Sequence, residues 1–138
     1  MIESYIHAGS KLGVLIEVGC ETDFVAKTDD FVAFAKDIAM HVAASNPVAV
    51  TREEVPAELV EREREIYKAQ ALDSGKPANI VDKIVSGKID KFMADICLME
   101  QKFVKNPDLS VQDLLNELIA KMGENISIKR FARFQIGA

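Results

Sequence analysis

The sequence predicts an α+β domain in which a three-stranded antiparallel sheet is covered by helices, with an antiparallel helical hairpin as an insertion. Both ends of the chain alternate between apolar and polar side chains, which is the period of a strand. The residues between them carry apolar side chains at three- and four-residue spacing, which is the period of a helix with one buried face. Strands at the ends and helices between them are typical of the α+β class.

The first two strands are predicted to form a hairpin. Residues 2–8 show a period-two pattern, the turn falls at Gly9-Ser10-Lys11, and residues 12–18 make a more continuously apolar second strand. His7 has no second histidine or cysteine nearby in the sequence. From the pattern alone we therefore expect His7 to be a half-exposed strand residue.

Two helix starts follow within six residues of each other. Thr22-Asp23 and Thr28-Asp29-Asp30 both offer oxygens to the unpaired amides of a first helical turn. The spacing predicts one short turn, a break near Thr28 and then a full helix that ends at Ser45-Asn46-Pro47. Phe24 lies in the short turn, which can bury little, yet large apolar residues are usually inside. The pattern alone favours burial of Phe24.

His41 lies one position off the apolar stripe of the long helix, and we interpret it as a helix-face residue.

The middle of the chain is predicted to form the helical hairpin, at about residues 56–97. Thr51 to Glu54 has the spacing of a capping box, and Pro56 suits the first turn of the next helix, which runs to about Ser74. The short connection at 74–77 makes the second helix return beside the first. Gly87 is expected to loosen one turn of that second helix.

The C-terminal third is predicted to contain an irregular crossing at 97–108, a helix capped by Ser110 and ended by Gly123, and a final strand. One face of that strand is predicted to carry Phe134 and four further apolar residues: Ile126, Ile128, Ala132 and Ile136. The segment 129–134 interleaves basic and aromatic side chains, as RNA-stacking strands do. The segment therefore allows two interpretations. It belongs either to an RNA-binding α+β domain, or to a purely structural strand in which Phe134 is buried and the cations lie at the rim of the sheet.

Composition narrows the possible functions. The formal charge of −5, from 17 Lys plus Arg against 22 Asp plus Glu, disfavours nucleic-acid binding by charge and favours the structural interpretation of the last strand. No apolar run is long enough to span a bilayer, and residues 1–5 lack the start of a signal peptide. Cys20 and Cys97 have no metal-site spacing and are expected to be free buried thiols, which indicates a reducing compartment.

Motifs for covalent chemistry are missing from the sequence. There is no Gly-rich phosphate loop and no Gly-x-Ser-x-Gly elbow, and neither histidine has a plausible nucleophile beside it. We therefore expect a protein that is not an enzyme and needs no cofactor or metal.

Four stretches carry a resemblance to a known family. Thr22-Asp23-Phe24-Val25, after the strand-like residues 13–18, resembles the signature of the elongation factor Ts family. Residues 4–9, 74–77 and 119–126 fit the same family in the same order, so the resemblance covers nearly the whole chain. It implies that residues 1–138 form one core (dimerisation) domain. Lys102 departs from the family pattern, in which a proline commonly precedes the phenylalanine. Members usually begin with a small helical module, and the sequence here corresponds to the part after it.

The resemblance implies a function that the patterns alone do not. Members are guanine nucleotide exchange factors that bind elongation factor Tu and promote GDP release. It implies that Asp23 and Phe24 are wedged near the magnesium and phosphate site of that GTPase, with Phe24 exposed. It also implies that Thr22, Val25, His7 and Gly9 contact the partner, and that the helical hairpin projects as a coiled coil.

Assembly and location are further expectations. Leu15 and Glu17 share one face of the second strand, and Phe131 lies between Lys129 and Arg133 on the last strand, so a solvated sheet face would be unusually apolar. We expect two copies to pair through their sheets as a homodimer, as in the short-form members that the chain resembles. We expect no membrane and no direct nucleic-acid partner. The expected location is the bacterial cytoplasm, with an organellar origin left open.

Overall fold

The body of the molecule has two layers, a sheet and the helices that cover one of its faces. The computed structural model describes residues 1–137. The strands are β1 Ile2–Ile6, β2 Leu12–Gly19, β3 Lys102–Phe103, β4 Asn106–Ser110 and β5 Ser127–Gln135. The helices are α1 Asp23–Ala26, α2 Asp29–Ser45, α3 Ala57–Asp73, α4 Ala78–Ile96 and α5 Val111–Met122.

The main sheet has the order β1-β2-β5 and is antiparallel throughout. The predicted α+β class, with an N-terminal hairpin and a C-terminal strand in one sheet, is therefore confirmed. Val14, Ile16 and Val18 of the central strand are buried, because their alternating side chains all point to the face that the helices cover.

Helix α2 supplies most of the opposing layer. Its apolar stripe is buried as the spacing predicts, and Phe31 at its start is fully buried. The predicted second helix start is also confirmed, since the Thr28 hydroxyl accepts a hydrogen bond of 3.3 Å from the Phe31 amide. The helix ends at Asn46, whose positive φ of 46° stops the helical turn before Pro47.

A bulge in β5 overturns the predicted facing of that strand. Glu17 pairs with Arg130 but Val18 pairs with Ile128, so Lys129 is an extra residue on β5. One extra residue moves every later side chain to the opposite face. Phe131 therefore packs against the core, and the prediction that Phe134 is buried is wrong, because Phe134 is 73% exposed on the outer face.

The helical hairpin has a small core of its own. Ala71 of α3 packs with Val81, Val85 and Ile89 of α4, separately from the main core. Helix α4 runs unbroken through Gly87, so the predicted loosening of one turn is wrong. Gly87 is exposed, and the buried residues on either side of it hold the helix against a cost of only about 1 kcal/mol relative to alanine.

Two local predictions along the chain are corrected. Thr51 makes no capping hydrogen bond, because Arg52–Glu54 form only a 3-10 turn and the helix begins after Pro56. A helix started at Thr51 would place Pro56 in its interior, where the ring clashes with a carbonyl four residues earlier. The predicted irregular crossing at 97–108 contains the short β3–β4 hairpin, whose strands are too short to give a periodic signal.

His41 is buried and is not the helix-face residue that the sequence suggests. The β3–β4 hairpin covers this side of α2, and Phe103 stacks on the imidazole with ring centroids 5.9 Å apart. The Val104 amide donates to Nδ1 at 3.2 Å, so Nδ1 carries no proton and Nε2 donates to the Gln101 side-chain oxygen at 2.9 Å. The ring is therefore held neutral.

This neutral ring makes the stability depend on pH. Burial lowers the pKa of His41 below its ordinary value, so the unfolded chain binds a proton there more readily than the folded one. We expect the contribution of His41 to the free energy of unfolding to be constant above neutral pH and to fall as the pH drops below about 6.5. Urea unfolding between pH 7.5 and 5.5 measures this pH dependence for the wild type and for His41→Gln. The free energy of unfolding of the variant should change less steeply with pH. Equal slopes would contradict this account.

Candidate functional site

The turn between β2 and α2 presents an unusual run of exposed residues. Residues 21–24 are all exposed, and the following Val25 is buried. Thr22 is the N-cap of α1, and its hydroxyl accepts a hydrogen bond of 3.3 Å from the Val25 amide. The predicted first helix start is therefore confirmed, and the buried Val25 anchors the turn on the core.

Phe24 lies on the surface, with 80% of its area exposed. The expectation from the pattern alone, that Phe24 joins the core, is wrong. In this four-residue turn the inward positions are taken by Val25, which is buried, and in part by Ala26, so Phe24 points away from the core. Asp23 is exposed beside Phe24 and forms no hydrogen bond or ion pair among residues 1–137. An aromatic ring and a free carboxylate thus stand side by side in solvent.

The turn is closed on its C-terminal side by the second cap. The Thr28 hydroxyl donates to the Val25 carbonyl at 2.7 Å, while its oxygen accepts from the Phe31 amide. One threonine thereby joins the end of α1 to the start of α2. On the N-terminal side the half-buried, free thiol of Cys20 donates to the Thr22 carbonyl at 3.2 Å.

Two carboxylates tie this turn to the end of α5. Glu124 Oε1 accepts from the Glu21 and Thr22 amides, each at 3.0 Å, and Oε2 accepts from the Thr22 hydroxyl at 3.0 Å. In return, Glu21 Oε2 accepts from the Asn125 amide at 3.1 Å. Sequence patterns assign no role to either glutamate, because the partners lie more than one hundred residues apart.

The other predicted contact residues lie elsewhere. His7 and Gly9 occupy the β1–β2 turn, where Gly9 has φ 95° and the His7 Nδ1 lies 2.9 Å from the Tyr5 hydroxyl. This turn and the Phe24 turn are at opposite ends of the eight-residue strand β2. At about 3.3 Å per residue they are roughly 25 Å apart. The structure does not bring the two groups of predicted residues together.

The outer face of the sheet is a second exposed feature. Cross-strand pairing aligns Ile6 with Gly13 and Leu15 with Ala132, and places Phe134 beside Gly13. Leu15, at the centre, is 50% exposed. Contrary to the sequence expectation, Phe131 is not on this face. Arg130 and Glu17 form an ion pair of 2.8 Å at one end of the patch. We call this apolar surface the outer sheet face.

The basic and aromatic residues of β5 do not form one stacking surface. Phe131 and Phe134 lie on opposite faces of the sheet, and the Arg133 guanidinium donates to the Ala43 carbonyl at 3.0 Å. Within residues 1–137, no group of three or more metal-ligating side chains lies close enough together to hold an ion. Across the same residues, every helix is too short or too polar to cross a bilayer.

Comparison with known proteins gives a consistent result. A family model described as elongation factor TS matches residues 1–138. The chain is 72% identical to elongation factor Ts of Desulfotalea psychrophila over 137 residues, which is 99% of this chain and 69% of that protein. It is 65% and 60% identical to those of Geobacter sulfurreducens and Carboxydothermus hydrogenoformans, again over 99% of this chain.

The chain spans 63% of the length of each of the last two relatives. The match nevertheless includes the capped turn with its exposed Phe24, the β1–β2 turn and the helical hairpin, since it covers the whole chain. On this match and these identities, the chain belongs to the elongation factor Ts family.

Proposed function

We propose that this chain is a guanine nucleotide exchange factor that binds elongation factor Tu and promotes GDP release during translation elongation. The observation that carries the proposal is the exposed aromatic ring of Phe24 on a turn that is capped at both ends. Exposed aromatic residues held in a rigid geometry are typical anchors of protein–protein interfaces. Membership of the family gives the class of partner.

Exchange requires a difference in affinity. A factor speeds nucleotide release only if it binds the empty GTPase better than the loaded one. A GTPase holds GDP largely through magnesium and through backbone amides around the phosphates. A side chain that moves these elements lowers the nucleotide affinity without contact with the base, and the factor itself forms and breaks no covalent bond.

We assign separate roles within the turn. Phe24 enters a pocket of the GTPase as the wedge, and Asp23 acts on the magnesium and phosphate region by its negative charge. Thr22 completes the contact segment. Val25 is only 5% exposed, so it fixes the segment to the core of this chain and offers little surface to a partner. His7 and Gly9 form a second contact with the partner. Its binding surface for these residues lies roughly 25 Å from the surface that binds Phe24.

We further propose that residues 1–138 act as one core (dimerisation) domain and that two copies pair through the outer sheet face. The face is apolar at its centre, and soluble domains rarely leave a patch of several hundred Å² uncovered. Arg130 and Glu17 lie at one end of it with opposite charges. About a two-fold axis, the arginine of one copy can meet the glutamate of the other, so the same face is complementary to itself.

Release of a fluorescent GDP from elongation factor Tu tests the proposal. The rate is measured with excess unlabelled GDP, with and without this chain, over a range of concentrations. We expect a rise in the release rate that saturates with the concentration of this chain. A release rate that stays at the spontaneous value at micromolar concentration would contradict the proposed function.

Asp23→Ala should weaken exchange with little effect on folding. The N-cap of α1 is Thr22, so Asp23 does not hold the turn together, and its loss should change the free energy of unfolding by less than about 0.5 kcal/mol. We expect about a tenfold lower release rate, which is the size of one lost charged contact. The matched control is Asp29→Ala, an exposed aspartate in the first turn of α2. Equal rates for the two variants would remove Asp23 from the mechanism.

A further inference from the structure

The structure assigns a positioning role to Glu124: we propose that its carboxylate holds the Phe24 turn in the geometry that the partner binds. The inference rests on the proposed function, because it concerns the same turn. Glu124 lies just after α5, beyond Gly123, and reaches across to a segment that is 102 residues earlier in the chain.

The Glu124 carboxylate binds three donors that belong to one short segment. One carboxylate receives three hydrogen bonds at 3.0 Å, two from consecutive backbone amides of residues 21 and 22 and one from the Thr22 hydroxyl. Hydrogen bonds to a charged acceptor are roughly twice as strong as neutral ones. The segment that leads into α1 is therefore fixed by an acceptor that is not part of the helix.

The Thr22 hydroxyl passes this constraint on to the helical turn. Its hydrogen points to Glu124 Oε2, which leaves an oxygen lone pair for the Val25 amide at 3.3 Å. A hydroxyl that donates to a carboxylate is polarised and becomes a better acceptor. Glu124 thus orients the N-cap of the turn that carries Asp23 and Phe24, although within the described residues it forms no hydrogen bond with either of these side chains.

A turn of four residues needs such external support. Isolated helical segments of this length are not stable in water, because nucleation costs more than the first hydrogen bond returns. Without Glu124, we expect residues 21–24 to sample several conformations. The partner would then have to order the turn on binding, and that cost lowers the affinity.

The test combines exchange kinetics with backbone dynamics. Glu124→Ala and Thr22→Val are compared with wild type in the GDP-release assay with elongation factor Tu, at several concentrations of each chain. We expect each variant to require about tenfold more protein for half-maximal release, as expected for the loss of these hydrogen bonds. The effect of the double variant should be smaller than the product of the two single effects, because both changes break the hydrogen bond between the Thr22 hydroxyl and Glu124. Glu124→Gln, which keeps an oxygen for the two amides, should recover part of the activity.

Amide order parameters measured by NMR provide a readout without the GTPase. In Glu124→Ala we expect the values of residues 22–25 to drop from the rigid range near about 0.85 towards about 0.6, with α2 unchanged. The control is Glu117→Ala, an exposed glutamate on α5 that forms no hydrogen bond or ion pair in the part of the chain that the structure describes. It should behave as wild type in both measurements.

The outcomes separate the two proposals. If the wild type accelerates release and Glu124→Ala matches Glu117→Ala, the positioning role is wrong. A double variant whose effect is the product of the two single effects would also overturn it. If the wild type itself fails to accelerate release, the proposed function is wrong, and unchanged order parameters would then independently remove the role of Glu124. Should Glu124→Ala not fold, Glu124→Gln takes its place: it should show a smaller loss in both measurements, and behaviour identical to Glu117→Ala would overturn the role of Glu124.

Discussion

Phe24→Ala is expected to remove nearly all of the nucleotide exchange activity while the protein remains folded. The ring is 80% exposed, so its loss should change the free energy of unfolding by about 0.5 kcal/mol or less. As the central anchor of the proposed interface, it should contribute about 2 kcal/mol or more, which corresponds to at least about a thirtyfold lower release rate at subsaturating concentration. The GDP-release assay and urea unfolding measure the two quantities.

The neighbouring Phe31 supplies the contrast. It is fully buried in the main core, so Phe31→Ala should destabilise the protein by about 3–5 kcal/mol. The molecules of Phe31→Ala that remain folded should promote GDP release at the wild-type rate. A large loss of stability in Phe24→Ala, or wild-type exchange by it, would show that Phe24 is not the wedge.

Leu15→Glu is expected to convert a dimer into a monomer. Leu15 lies at the centre of the outer sheet face, next to Ala132 on the neighbouring strand. A two-fold interface would bring two such glutamates together in an apolar environment, where unpaired charges are costly. Light scattering at micromolar concentration should report about twice the chain mass of 15.2 kDa for the wild type and the single mass for the variant.

The control for this prediction is Ile66→Glu, the same kind of change at an exposed apolar position on α3. It should stay dimeric, since the hairpin is outside the proposed interface. A wild-type protein that is monomeric and still exchanges GDP at its full rate would contradict the pairing through the sheet. A dimer that survives Leu15→Glu would place the contact on another surface.

The sequence alone determined those parts of the molecule whose cause is local. Helix α2 follows from the period of its apolar residues, which matches one backbone geometry, and strand β2 follows from a short apolar run that begins directly after a turn. The three caps at Thr22, Thr28 and Ser110 follow for the same reason, because each side chain bonds to an amide three residues later.

The tertiary structure decided where these elements place their side chains. The extra residue Lys129 exists only relative to the register with β2, so no pattern within β5 could put Phe134 on the outer face. His41 is buried because a hairpin some sixty residues later in the chain covers it.

The candidate site shows the same division. Local signals identify the capped turn, and the family resemblance identifies Phe24, which the apolar pattern alone would have put inside. Glu124 reaches Thr22 only because β2 and the end of α5 meet in the fold. Contacts between residues far apart in the chain depend on how the whole chain packs, and a periodic pattern carries no information about that packing.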